Sequence, residues 1–120
     1  MVNEGRTLGD RIREARASKG KSLRQAAKDL GVTPSYLSDI ENDRRVPAEA
    51  VLSKIAGLLG LDLNELMSLA GRFGEKAKKY VRERPTAVKL FRRIAEKNLD
   101  EKTLRRLLEE IEKTDKEKAQ

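Results

Sequence analysis

Neither cysteine nor histidine occurs in the 120 residues. Their absence excludes disulfides, a Cys/His zinc site, a Ser-His-Asp or Cys-His nucleophile and any histidine general base. Carboxylates remain, but no pair of them stands in a recognisable catalytic motif, so the chain reads as a non-enzyme without cofactor or metal. Tryptophan is missing too, and aromatic residues make up only 3% against 39% charged residues. That balance suits short helices packed through aliphatic side chains better than a β-sandwich. Three prolines and eight glycines are too few and too scattered for a disordered chain, and act as punctuation. No apolar run approaches the roughly 18 residues of a membrane span, and the opening MVNEGRTLGD has no signal-peptide character. The expectation is a cytoplasmic protein that does not engage a membrane.

What is present is positive charge, +7 in all, which favours a polyanionic partner. Its distribution says more than its sum. Residues 1–71 carry 11 basic and 10 acidic side chains, residues 72–98 carry 10 and 3, and residues 99–120 carry 6 and 7. The excess is therefore concentrated in the middle of the chain.

Helical periodicity runs throughout, with no alternating stretch that reads as a strand. Leu8, Ile12, Ala15 and Arg16 recur at helical spacing and stop at Gly20. SLRQ at 22–25 has the form of a capping box, Ser22 as N-cap and Gln25 three residues on, opening a second helix that ends at Gly31. Thr33 followed by Pro34 predicts the start of a third helix, which ends near Asn42 and Asp43. Pro47 is expected to open a fourth, closed by Gly60, and DLNE at 62–65 to form a further capping box for a fifth. Gly71 and Gly74 flank a joint. Beyond it lie a helix ending before Pro85, one over about 85–97, and one capped by Asp100; the polar tail KTDKEKAQ is expected to fray.

Residues 23–42 have the spacing of a helix-turn-helix. Ala27 is small where the two helices approach most closely, Gly31 falls where a positive φ is needed, and Leu30, Val32, Leu37 and Ile40 are apolar where the pair must pack. The stretch SLRQAAKDLGVTPSYLSDIEN, preceded by LGDRIREARASKG and followed by VPAEAVLSKIAGLLGLDLNEL, resembles the phage-repressor-like helix-turn-helix domains of the Xre family. The resemblance covers about residues 7–70. It implies a five-helix DNA-binding domain, taken as residues 1–71; the helical periodicity beyond it adds a small helical C-terminal region over 72–120, so the whole reads as an all-α protein.

It also implies that the third helix, about 34–42, enters the major groove of double-stranded DNA. Yet from Tyr36 to Asp43 this helix holds Asp39, Glu41 and Asp43 and no Lys or Arg. At 100° per residue, Leu37, Ile40 and Glu41 share one face, while Ser35, Ser38, Asp39 and Asn42 share the opposite one. Glu41 thus points inward, and the resemblance implies an ion pair with Arg16 in the first helix. Asp39 faces outward, either to accept from cytosine N4 or to face solvent or pair with a neighbouring cation. Base readout then falls to Ser35, Ser38 and Tyr36, beside Thr33 and Pro34 at the helix start. Arg44, Arg45, Asn42, Ser22 and Arg24 are candidates for the phosphate backbone.

In the C-terminal third, Tyr80, Val81, Phe91, Ile94, Leu104, Leu107, Leu108 and Ile111 fall on apolar helix faces that need cover. The family's two-fold operators favour a homodimer as that cover, with packing inside one chain as the alternative. The basic run from Arg72 to Lys97 could flank an operator, form a solvated face, or receive an acidic partner such as an antirepressor or a toxin. The reading is a sequence-specific transcriptional regulator, a repressor that occupies a palindromic operator. The competing readings are an antitoxin and a protein-interaction module.

Overall fold

A computed structural model describes residues 6–119, with side chains described for residues 6–114. The first half of the opening stretch, read above for signal-peptide character, lies outside the described residues. Eight helices and no strand occur among those described: α1 (Leu8–Ser18), α2 (Leu23–Leu30), α3 (Pro34–Glu41), α4 (Glu49–Leu59), α5 (Leu63–Leu69), α6 (Glu75–Glu83), α7 (Pro85–Glu96) and α8 (Glu101–Ala119). They fall into two compact units, one extending to Glu75 and one beginning at Lys76. No described helix is long and apolar enough to cross a membrane.

The first unit is built on one aliphatic core. Ile12 from α1, Leu37 and Ile40 from α3, Leu52 and Ile55 from α4 and Leu66 from α5 are each at most 1% exposed. Ala26 and Ala27 of α2 are as deeply buried, so methyl side chains let α2 pack closely on its neighbours. Burial of this kind stabilises by about 1.5–3 kcal/mol per large aliphatic side chain. It also fixes the orientation of α3, whose two apolar residues point into the core.

Local chemistry sets the helix ends. Ser22 accepts from the Gln25 backbone N–H at 3.1 Å while the Gln25 side chain accepts from the Ser22 N–H at 2.8 Å. Thr33 caps α3 by accepting from the Tyr36 N–H at 3.1 Å, with Pro34 in its first turn. Asp100 caps α8 through the Thr103 N–H at 2.9 Å, and that bond holds its carboxyl below the ordinary carboxylate range.

Three sequence expectations differ from the structure. Pro47 does not open α4: that helix begins at Glu49 with Ala48 as N-cap, and Pro47 is instead buried in the preceding turn. Asp62 is the N-cap residue of α5 but its side chain makes no capping hydrogen bond. The tail, expected to fray, is placed as a continuation of α8 to Ala119; Lys, Glu and Ala are strong helix formers that propagate an existing helix. Gln120 lies outside the described residues.

In the second unit no described side chain of α6 or α7 is buried. Tyr80, Val81, Phe91, Leu104, Leu107, Leu108 and Ile111 are exposed, and Ile94 is half-buried. Their spacing puts 104, 107, 108 and 111 on one stripe of α8.

Candidate nucleic-acid interface

The α2–α3 pair is joined by a tight turn. Gly31 takes φ 73°, a conformation open to glycine without strain. The Val32 N–H then donates back to the Ala27 carbonyl at 3.0 Å, and Thr33 starts α3 at once. The outer side of α3 presents Ser35, exposed, with Tyr36, Ser38 and Asp39 half-exposed and Asn42 exposed.

Each of the three acids of this segment has a partner. Glu41 is 3% exposed and lies against Arg16, which donates from Nε to Oε2 at 2.7 Å and from Nη2 to Oε1 at 3.0 Å. The third arm of Arg16 donates from Nη1 to the Lys21 carbonyl at 2.9 Å. The bond to Glu41 raises the Arg16 pKa further above its ordinary value, against burial, which lowers it. Asp43, with φ 59°, accepts from the Thr7 hydroxyl at 2.6 Å and from the Gly9 N–H at 3.0 Å. Asp39 accepts from Arg44 Nε at 3.0 Å on the surface.

Arg13, Gly9, Thr7 and the bonding role of Asp43 escaped the sequence reading. Arg13 Nη2 donates to the Glu41 carbonyl at 2.8 Å and to Asn42 Oδ1 at 3.0 Å, holding the C-terminal end of α3 where carbonyls lack helical partners. Gly9 meets the same end: a Cβ built there would lie 2.3 Å from the Glu41 carbonyl oxygen. Both had a signal. Arg13 stands one turn before Arg16 on the same helix side, and a glycine inside a first helical turn costs about 0.5–1 kcal/mol relative to alanine, so close approach is the usual reason for it.

The predicted polar residues are partly committed to one another. Asn42 Nδ2 donates to the Ser38 carbonyl at 2.8 Å and to the Ser38 hydroxyl at 3.2 Å. The Arg45 guanidinium lies 5.0 Å from the centre of the Tyr36 ring. Arg44 and Arg45 are both exposed beside the end of α3, and Arg24 is exposed in the first turn of α2. The face thus carries hydroxyls, an amide and arginines, chemistry suited to phosphate oxygens and base edges. Among the described residues no group of three His, Cys, Asp or Glu side chains could hold a metal ion.

A helix-turn-helix family model matches residues 12–66. Over 63 residues the chain is 46% identical to the ImmF control region 10 kDa protein of Bacillus phage phi105, covering 52% of this chain and 70% of that protein. Over 78 residues it is 35% identical to the transcriptional regulator ClgR of Mycobacterium tuberculosis, covering 65% of this chain and 70% of ClgR. Among solved structures, the N-terminal DNA binding domain of SinR from Bacillus subtilis aligns with a TM-score of 0.47 at 36% identity, over 50% of this chain and 88% of that one.

Proposed function

The chain belongs to the Xre-like helix-turn-helix family of transcriptional regulators, and from that premise we propose that it is a repressor that binds a palindromic operator as a homodimer. In this reading α3 lies in the major groove, with Thr33 and Pro34 leading it in. Ser35, Tyr36 and Ser38 face base edges, and Ser22, Arg24, Asn42, Arg44 and Arg45 face phosphates. The single observation that carries it is the engagement of all three acids: Glu41 is buried on Arg16, Asp43 is tied to Thr7 and Gly9, and Asp39 is matched by Arg44. Two of the carboxylates are therefore tied into the fold, and Asp39 alone faces outward, paired with Arg44. The Asp39–Arg44 pair is exposed, 36% and 62% for the two side chains. Such a pair contributes about 0–1 kcal/mol, so DNA can draw Arg44 to a phosphate at little cost. The exposed stripe of Leu104, Leu107, Leu108 and Ile111 with Tyr80, Val81, Phe91 and Ile94 supports dimerisation through the C-terminal unit, which would set two reading helices on two half-sites.

The test is selection from a random duplex pool followed by a salt titration on the selected site. The expected result is an inverted repeat with half-sites about one helical turn apart. Arg44→Ala with Arg45→Ala should weaken binding to it and flatten the salt dependence by roughly 0.9 per lost phosphate contact. Selection of no motif would sink the operator reading. The exposed apolar and basic helices α6 and α7 would then favour the second reading, a module that receives an acidic antirepressor or toxin.

Asp39 has its own test. Changing it to Asn should alter the preferred base at one operator position, because an amide both donates and accepts where a carboxylate only accepts. An unchanged preference, with tighter binding to unrelated duplex, would identify Asp39 as a purely repulsive element.

A further inference from the structure

We propose that Arg72 is a positioning residue for DNA binding, holding in place the loop that presents Arg44 and Arg45. The inference rests on the operator-binding reading above and adds to it a residue that touches no DNA. It begins at the end of α5. Gly71 turns the chain with φ 67°; its N–H donates to the Ser68 carbonyl at 3.0 Å and the Arg72 N–H to the Met67 carbonyl at 2.9 Å. This paired closure is a Schellman motif, which fixes the direction in which the next residue leaves the helix. The Arg72 side chain leaves toward the loop between α3 and α4. Its Nε donates to the Pro47 carbonyl at 2.8 Å and its Nη2 to the Val46 carbonyl at 3.1 Å. Two neighbouring carbonyls are thus held by one rigid planar fork, which a lysine cannot reproduce.

The same loop is fixed at its other end. Asp43 is tied to Thr7 and Gly9, and the Arg44 N–H donates to the Asp39 carbonyl at 2.8 Å. Only Arg44 and Arg45 separate Asp43 from the carbonyls that Arg72 holds. Pro47 has no N–H to donate and is buried, so the grip on this turn comes from its carbonyl side. Gly74, two residues past Arg72, also sits close to this region: a Cβ there would come within 2.8 Å of Glu49 Oε1 in the first turn of α4. Arg72 is the first cation of the basic run of residues 72–98, and its charge is directed into the fold rather than toward a polyanion.

Three readouts on the full chain separate positioning from a direct phosphate contact. Amide hydrogen exchange without DNA should be faster at Arg44, whose N–H is bonded to the Asp39 carbonyl, in Arg72→Ala than in the unaltered protein, since the loop has lost one anchor. Affinity for the selected operator should fall about tenfold in both Arg72→Ala and Arg72→Lys. The salt slope should stay unchanged in both. Unaltered exchange at Arg44 overturns the proposal whether or not an operator has been found, which keeps its failure apart from that of the operator reading. A slope reduced by about 0.9 in Arg72→Ala, with affinity kept in Arg72→Lys, also overturns it in favour of a phosphate contact. Should Arg72→Ala lose helical circular dichroism at the assay temperature, Arg72→Gln is read by the same criteria.

Discussion

Arg16→Met is expected to cost about 3–5 kcal/mol of folding stability, the usual penalty for stranding one member of a buried pair. The Glu41 side chain is 4% exposed and that of Arg16 17%, so water can compensate only in part for the lost partner. The substitution removes both bonds to the carboxylate and the third to the Lys21 carbonyl. Arg13 supplies only a weak reserve, with its Nε 3.8 Å from Glu41 Oε1. Small domains have about 5–15 kcal/mol in total, so a large part of the stability of the first unit depends on this pair. A urea titration checks it, and a loss below about 1 kcal/mol would show that the pair is dispensable. Combining Arg16→Met with Glu41→Leu should restore much of the stability, because replacing both charges by apolar groups is often neutral or stabilising by about 1–4 kcal/mol. Recovery in the double variant would separate the cost of a stranded charge from that of lost packing.

Gly9→Ala should be the second large effect, with a sign opposite to helix propensity. In an unobstructed helix this change stabilises by about 1 kcal/mol. Here the new methyl carbon would lie 2.3 Å from the Glu41 carbonyl oxygen, 2.7 Å from its carbon and 2.8 Å from the Ile40 oxygen. These are backbone atoms that α3 can yield only by moving as a helix end. Overpacking of this kind costs about 1–3 kcal/mol and sometimes more. The displaced end is the one that Arg13 and Arg16 hold, so operator affinity should fall along with the melting temperature. Gly57→Ala is the internal control. It lies inside α4 with nothing within 4 Å of a built Cβ, and should raise the melting temperature slightly. If both glycine variants shift it upward, the α1–α3 approach is looser than the geometry requires.

Both effects converge on one principle: α1 secures the C-terminal end of α3, the helix proposed to read the operator. Gly9 permits the approach, Arg13 binds the terminal carbonyl of Glu41, Arg16 binds its carboxylate, and Asp43 returns to Thr7 and Gly9. A helix of eight residues is too short to be stable alone, and a groove-reading helix must be held in a defined orientation to place its side chains. Two of the three acids, Glu41 and Asp43, serve this attachment, which makes their presence compatible with the proposed DNA binding. In the proposed reading, the charge for association is supplied by Arg44 and Arg45.

Much of this was legible before any coordinates. Ser22 with Gln25, and Thr33 with Pro34, mark helix starts because capping links residues three apart, a distance that the chain itself sets. The inward face of Glu41 follows from a helical wheel, since 100° per residue leaves little choice once Leu37 and Ile40 are taken as core. Asp39 is outward by the same wheel, but its partner is not, because Arg44 comes round to it only through the left-handed turn at Asp43. Asp62 shows the converse, a sequence that permits a capping bond without requiring one. Pro47 was legible as a boundary but not as a turn residue, because a fixed φ suits both places.

What the sequence alone determined is the helical class, the order of the first five helices, the helix-turn-helix within them and the lack of histidine and cysteine chemistry. These follow from composition, from relations within one helix turn and, for the helix-turn-helix, from the spacing of residues 23–42 and the family resemblance. What only the tertiary structure decided is how α3 is held beyond the Arg16–Glu41 pair that the family resemblance implies. Gly9 and Asp43 are 34 residues apart, and Arg72 and Pro47 are 25 apart. No local periodicity encodes such pairs; they meet because the aliphatic core brings α1, α3 and the end of α5 together, and the polar groups there must then find partners away from water.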